Sequence, residues 1–456
     1  MHRKKKGRKE RASSRLWSRN ITMSDRLEQV ATLAHGKKGE VLCLHSGEGN
    51  GALASGGADG TVRIWDLAAG KVSRALLMPP PPTAEEDKAV TAVCIGDSSS
   101  HLVYAAVGMH VYGYDLRAPG MLLREPAWRH LNLAKDEIGH MALHESGSVL
   151  ATADDAGDVH IVDVSSGASS GAAAATAAAA AAAPRITNTL SGVHTSICSS
   201  VAFRPGGAGT ECCSAGLDAL VVRWDWRIAA KLDVWPLMRR PIADVLADAA
   251  ENALGLRQQH QQAGSSSGGG ESQQQQLFNP RHAHCVSFAP DGGAFALALG
   301  DGTVEVRLTQ SGEPIAAVDG HRCAASQAHF CPQILHGVQE RLRGSFSDDV
   351  MARWLPLVTA GDDRRLRVWA VEGVAGRGRR SGDTKRQRRA GPGDAAADDE
   401  DEDEDEVFGE PGFRALASSK LKYKPNGVAA SADANGRALV CVATCADDGA
   451  VAVFEL

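Results

Sequence analysis

The stretch "CCSAGLDALVVRWDWR", residues 212–227, decides how the rest of the chain is read. It sets small and apolar residues on either side of a short turn around Asp218, the pattern of two strands in a hairpin, and it ends on Trp224-Asp225-Trp226-Arg227. The same spacing recurs at "ASGGADGTVRIWD", residues 54–66, and at "TAGDDRRLRVWA", residues 359–370. In each copy a Ser or Thr is followed four residues later by Asp and six after that by Trp: Ser55, Asp59, Trp65; Ser214, Asp218, Trp224; Thr359, Asp363, Trp369. A fourth copy, "TCADDGAVAVFEL", gives Thr444 and Asp448, with Phe454 where the Trp stands elsewhere. Upstream of three copies a histidine opens a further strand, His35 in "HGKKGEVLCL", His194 in "HTSICSSVAF" and His321 in "HRCAASQAHF".

The chemistry of this set is structural. An indole N–H in a half-buried strand needs an acceptor, which a hydroxyl supplies. The hydroxyl then bonds to one histidine nitrogen and the Asp binds the other, so that every member is satisfied inside one small sheet. A Ser–His–Asp trio also invites a hydrolase reading. Its recurrence in several copies and the absence of a G-x-S-x-G elbow argue against that, because a catalytic site is singular.

Length and composition fit a repeat of this kind. The chain has 456 residues, too many for one ordinary core unless the fold is a barrel, solenoid or propeller, and its 49 glycines and short apolar runs point to strands and turns. The residues of the repeat resemble the WD-repeat family, whose members form β-propellers of four-stranded blades. The resemblance implies an all-β, seven-bladed propeller over residues 24–456, with units near 35–72, 88–118, 134–166, 190–229, 281–310, 316–372 and 419–456. Four units are degraded. The second ends on Tyr114-Asp115 without a turn Asp. The third has Val162 for Trp and its acid pair, Asp154 and Asp155, out of register. The fifth keeps His284 and Asp301 but has Arg307 at the Trp position. These blades are expected to rest on packing more than on hydrogen bonds. The last unit stops after its third strand, and "RLEQVATLA", residues 26–34, is expected to supply the fourth and close the ring.

Four segments stand outside the blades. Residues 1–23 form a basic arm, expected to be disordered, and Met23 is a second candidate start. Residues 168–185 are an alanine-rich tract, residues 232–277 open on an amphipathic helix pattern and dissolve into Gln, Gly and Ser, and residues 373–412 run from a basic cluster into the nine acids of 398–406; all three are expected to be disordered insertions. The basic clusters at 3–9 and 385–389 read either as nuclear import signals or as solvated arms. They lack the aromatic interleaving and the groove-reading helix that nucleic-acid binding calls for. The ten cysteines show no C-x-x-C pair and read as reduced thiols of an intracellular protein, nuclear or cytoplasmic. No apolar run is suited to spanning a membrane. "GEGNG" at 47–51 reads as a turn, since no helix follows to cradle a phosphate, and "HAHC" at 282–285 places His282 and His284 on one strand face and Cys285 on the other, so no metal or cofactor is expected.

The terminal arginine of the opening stretch remains. Two units end in Asp-x-Arg: Asp115-Leu116-Arg117 and Asp225-Trp226-Arg227. Residues 212–227 are similar to the sixteen-residue box of WD-repeat substrate receptors of cullin–RING ubiquitin ligases, with Arg223 departing from it where an apolar residue is usual. In those receptors the arginine lies on one rim of the propeller and engages the damaged-DNA-binding adaptor. The resemblance therefore implies an adaptor site of Asp115, Arg117, Trp224, Asp225 and Arg227, in a non-catalytic receptor that is monomeric outside its complex. "HTSICSSVAFRP" (194–205), "LATADDAGDVHIVD" (150–163), "NPRHAHCVSFAPDG" (279–292) and "KLKYKPNGVAAS" (420–431) resemble, in the same order, one WD-repeat family of candidate receptors of this ligase. The substrate protein is not implied. The other reading is a general WD-repeat scaffold, or a peptide or histone reader unrelated to ubiquitin; a propeller enzyme would need a singular polar constellation, which the sequence lacks.

Overall fold

The computed structural model describes residues 27–35, 39–47, 52–80, 88–96, 101–165, 184–206, 209–237, 280–342, 354–372, 413–432, 437–445 and 449–456. Seven antiparallel blades are arranged as a propeller. After β1 (Glu28–Ala34), blade 1 is built from β2 (Val41–Ser46), β3 (Ala52–Gly57), β4 (Thr61–Asp66) and β5 (Lys71–Leu77). Blade 2 holds β6 (Ala92–Ile95), β7 (Leu102–Val107), β8 (His110–Asp115) and, after the two-residue β9 (Leu122–Leu123), β10 (Trp128–His130). Blade 3 holds β11 (Ile138–Leu143), β12 (Val149–Asp154), β13 (Val159–Asp163) and β14 (Arg185–Leu190). Blade 4 holds β15 (Cys198–Phe203), β16 (Glu211–Gly216), β17 (Leu220–Asp225) and β18 (Ala230–Pro236). Blade 5 holds β19 (Ala283–Phe288), β20 (Ala294–Leu299), β21 (Thr303–Leu308) and β22 (Pro314–Asp319). Blade 6 holds β23 (Ala325–Phe330), the helix α1 (Leu335–Leu342), β24 (Trp354–Gly361), β25 (Arg365–Glu372) and β26 (Phe413–Lys420). Blade 7 holds β27 (Pro425–Ala432), β28 (Ala438–Thr444) and β29 (Ala450–Glu455).

The expected closure is present. β1 pairs antiparallel with β29, from Glu28 opposite Glu455 to Ala34 opposite Ala450, so the chain's first described strand is the outer strand of its last blade. Leu33 packs into the seam between blades 7 and 1, and Leu27 into the seam between blades 6 and 7. Each of the seven seams carries its own apolar cluster. Within them the residue at the tryptophan position faces the preceding blade: Trp65 against blade 7, Tyr114 against blade 1, Trp224 against blade 3 and Trp369 against blade 5.

A second set of contacts was not legible in the repeat. Around the central channel, side chains of one innermost strand bond to the backbone of the next blade. His45 Nδ1 accepts from Ile95 N–H at 3.3 Å, His140 Nδ1 from Val201 N–H at 3.3 Å, Ser200 Oγ from Val286 N–H at 3.2 Å and Ser287 Oγ from Phe330 N–H at 3.1 Å. Thr91 Oγ donates to Ile138 O, Gln327 to Asn426 O, and Asn426 to Val41 O, which carries the ring through the remaining seams. Cys43, Cys94 and Cys285 donate thiol hydrogens across seams in the same way. Burial raises the first two thiols to about 12. The buried-thiol reading holds for most of the cysteines, but Cys323 is exposed, and Cys43 and Cys445 are only partly covered.

Several expectations need correction. The insertion expected from residue 232 starts later, because 232–236 belong to β18, where Trp235 stacks on Phe295 of blade 5. The outer strand of blade 2 lies at Trp128–His130, beyond the unit read as 88–118, and β9 pairs in parallel with β5 of blade 1 instead. Thr444 does not occupy the hydroxyl position. Ser55 faces the residue two before Trp65, whereas the residue facing Ala452, two before Phe454, is Val442; the hairpin is two residues longer, so the matching spacing in sequence is coincidental. The basic arm 1–23, the insertion 373–412 and most of the other two insertions lie outside the described residues.

Candidate functional site

The hydrogen-bonded sets form in three blades. In blade 4 the Trp224 indole N–H donates to Ser214 Oγ at 2.8 Å, the Ser214 hydroxyl lies 2.8 Å from His194 Nε2, and His194 Nδ1 lies 3.1 Å from the Asp218 carboxylate. Blade 6 repeats it: Trp369 to Thr359 at 2.9 Å, Thr359 to His321 Nε2 at 2.9 Å and His321 Nδ1 to Asp363 at 2.9 Å. The indole N–H needs Oγ as acceptor, so the hydroxyl hydrogen goes to Nε2 and Nδ1–H to the carboxylate. Burial is the largest influence on His321 and keeps it neutral by lowering its pKa, against the pull of Asp363. Burial opposes ionisation of Asp363, yet His321 and Arg367 hold its carboxyl well below the usual range. In blade 1 the ring is turned over. His35 Nδ1 meets Ser55 at 2.8 Å, Nε2 meets Thr61 at 3.1 Å, and the Thr61 hydroxyl donates to Asp59 at 2.7 Å, while Trp65 donates to Ser55 at 2.8 Å.

These sets explain a glycine. A Cβ on Gly57 would stand 2.7 Å from the His35 ring, and one on Gly216 2.7 Å from the His194 ring. In blade 3, which lacks the histidine, Asp154 stands at that position, and its carboxylate meets His160 Nε2 at 3.2 Å and the Asp158 N–H at 2.8 Å. Thr152 of that blade sits at the hydroxyl position, fully buried, and its Oγ has no hydrogen-bond partner among the described residues, because Val162 replaces the indole donor.

Blade 5 also departs from expectation. Arg281, not His284, binds the turn acid: Nε donates to Asp301 at 2.7 Å and an Nη to Glu305 at 2.6 Å. Arg307, in the tryptophan's place, grips Glu305 from the other side at 2.9 and 2.7 Å. His284 lies in β19, where burial lowers its pKa. Blade 5 thus replaces the usual set with buried charge pairs, and blade 3 replaces it with a buried aspartate–histidine hydrogen bond, rather than with packing alone. Among the described residues no cluster of three His, Cys, Asp or Glu side chains is placed to hold a metal, and no helix is long and apolar enough to cross a membrane.

The Asp-x-Arg tripeptides end β8 and β17, the third strands of blades 2 and 4. Third strands of a propeller run the same way, so both arginines reach the same rim, with blade 3 between them. Asp115 Oδ1 accepts the Arg117 backbone N–H at 2.9 Å, and Asp225 Oδ1 accepts that of Arg227 at 3.0 Å. The same aspartate-closed turn ends β13, where Asp163 accepts from Ser165 N–H at 2.9 Å, and Asp66 closes a similar turn after β4 onto Ala69 N–H at 3.0 Å. The turn requires the aspartate; it does not require the arginine two residues on, since blade 1 has Ala68 there and blade 3 has Ser165.

The two guanidinium groups differ. Arg117 folds back onto Asp115 with bonds of 2.7–3.1 Å, although its side chain stays 48% exposed. Arg227 lies over the Trp226 ring, 5.3 Å from its centroid. Trp226 in turn meets Phe203 and His144 edge-on at 5.8 and 5.7 Å. Arg223, the departure from the box, is taken up by neighbours on the propeller: it binds Asp233, which faces it across the ladder, Glu211 of the same blade, and Gln310 of blade 5. Trp224 is buried in the seam and serves the hydrogen-bonded set, so it cannot meet a partner directly.

Seven blades closed by the N-terminal strand, three of them held by the His–Ser/Thr–Asp–Trp set, give the chain the fold of a seven-bladed WD-repeat β-propeller. A family model described as "WD domain, G-beta repeat" matches residues 27–66. The WD40 β-propeller domain of Doa1 superposes with a TM-score of 0.54 at 12% identity, covering 94% of this chain and 97% of that one. Among named relatives the chain is similar to the WD repeat-containing protein 53 homolog of Dictyostelium discoideum, 24% identical over 314 residues, which span 69% of this chain and 74% of the relative.

Proposed function

We propose that the chain is a non-catalytic substrate receptor of a cullin–RING ubiquitin ligase, docking to the damaged-DNA-binding adaptor through the rim that carries Arg117 and Arg227. The observation behind this reading is that the rim turns are fully formed without an arginine in blades 1 and 3, so the arginines of blades 2 and 4 answer to no demand of the fold. Arg227 is exposed and backed by a flat indole, and Ile228 beside it is 71% exposed. A fixed fork of donors next to an apolar side chain is the composition of an interface anchor. Asp115 and Asp225 shape the turns, and Trp224 holds the strand beneath. The substrate protein would be held elsewhere on the propeller.

The test is co-purification of the adaptor with the wild type and with Arg117→Ala/Arg227→Ala, both shown by melting curves to be folded. Capture by the wild type and loss in the folded double variant supports docking through this rim. Equal capture by both, or by neither, leaves a general scaffold. The pairing of Arg117 with Asp115 favours an unequal division of labour, with Arg227 the stronger contact.

A further inference from the structure

Arg227 is held by a residue of another blade. Asn188 lies in β14, the outer strand of blade 3, and its side chain crosses the seam to blade 4. Its Nδ2 donates to the carbonyl oxygen of Trp226 at 2.9 Å and to that of Arg227 at 2.7 Å. Both acceptors are carbonyls, so the amide orientation is fixed by chemistry: a flipped Asn188 would set its own oxygen against two others. The two contacts pin the two peptide groups that flank the Arg227 Cα. The ring beneath Arg227 is seated from the same side, since His144, which follows β11 of blade 3, meets Trp226 at 5.7 Å.

We propose that Asn188 is a positioning residue of the docking rim, setting the direction in which Arg227 leaves the propeller. This rests on the adaptor reading above and extends it, because it makes the site a product of two blades. The sixteen-residue box, which ends at Arg227, does not contain Asn188. A free Arg227 turn would sample several directions, and the interface would have to select one of them, which weakens binding without removing any contact.

The experiment measures the affinity of purified adaptor for the full-length chain as wild type, Asn188→Ala, Asn188→Asp, Arg227→Ala and Asn188→Ala/Arg227→Ala, with a melting curve for each. The expected result is about tenfold weaker binding for Asn188→Ala and a larger loss for Asn188→Asp, whose carboxylate faces the two carbonyls. In the Arg227→Ala background the Asn188→Ala change should have no further effect, since its influence passes through Arg227. A purely structural staple would instead lower the melting temperature alike in both backgrounds and leave affinity unmoved. Wild-type affinity in Asn188→Ala, or a loss that simply adds to that of Arg227→Ala, overturns the inference alone. A wild type that does not bind the adaptor overturns the parent reading and this inference with it.

Discussion

Removal of residues 24–34 takes away β1, and with it the closing edge of the propeller. Six register pairs with β29 disappear, leaving the backbone of Ala450–Glu455 without its outer partner. Leu27 and Leu33, at 1% and 4% exposure, leave cavities in two different seams. A buried leucine cut to alanine costs about 3–5 kcal/mol, so the two together approach the ~5–15 kcal/mol that hold a typical domain folded. Deletion should therefore abolish a cooperative transition at 37 °C. Leu33→Ala alone, at about 3 kcal/mol, should lower the melting temperature by ~5 °C for a domain of ~300 ordered residues. Differential scanning calorimetry reads both. A rearranged chain supplies the control. Glu28 lies opposite Glu455 in the antiparallel ladder, so residues 26–35 attached after Leu456 through a short glycine-rich turn can fold back onto β29 as a hairpin. That variant should recover most of the lost stability, because the bonds are restored and only the covalent order has changed. An unmoved melting point on deletion, or no recovery on reattachment, would falsify closure as the source of the stability.

Acidification should loosen the channel ring. Burial, reinforced by the charge of His329, lowers His45 to about 4 and His140 to about 3, and each must stay neutral to accept a backbone N–H through Nδ1. The unfolded chain takes up these protons near pH 6.5 and the folded one does not, so stability is full above pH 6.5 and falls as the pH drops toward 4 and 3. Each ring is partly open to the channel, which screens the effect to about 1 kcal/mol per ring at pH 5; His45→Gln/His140→Gln should flatten the dependence of the urea midpoint on pH, and an unchanged slope refutes the assignment. Ser214→Ala leaves the Trp224 N–H and His194 Nε2 unpaired and should cost about 2–4 kcal/mol, whereas Ser214→Thr, the residue blade 6 uses at Thr359, should cost under about 1 kcal/mol; equal urea midpoints for the two would show that the hydroxyl is idle. Glu305→Leu strands Arg281 and Arg307 in blade 5 and should cost about 3–5 kcal/mol, read as a fall in melting temperature; a neutral result would mean that Asp301 alone compensates the two arginines.

What was legible in the sequence follows the range over which each interaction acts. Ser214, Asp218 and Trp224 lie within one hairpin, so their spacing is fixed by the turn and repeats wherever the turn repeats. His194 enters the same blade one strand earlier and is still found by its offset. The reading failed where a hairpin changed length. Two extra residues in the last blade carried Thr444 past the hydroxyl position and left Val442 there, although the spacing in the chain looked correct. It failed again where an element other than the expected one met the same acid: Arg281 reaches Asp301 from before the first strand of blade 5, and charge substitutes for the imidazole. The seam contacts obey no local spacing at all. His45 bonds to Ile95, and Asn426 to Val41 across the closure of the ring, so the residues concerned become neighbours only once the blades are placed in a circle.

The candidate site divides along the same line. The box places Arg227 at the end of a strand, and that much is local. Whether the arginine is needed there can be judged only by comparing blades: Asp66 and Asp163 close their turns with Ala68 and Ser165 in the corresponding places, so the turn is complete without a guanidinium. How the arginine is aimed depends on Trp226 beneath it and on Asn188 across the seam, thirty-nine positions away in sequence. If the docking reading holds, a substitution in blade 3 would silence a motif in blade 4 while leaving all sixteen of its residues intact. The hydrogen-bonded sets, by contrast, are closed within their own blades, and their loss should unfold the propeller before it alters what the rim binds.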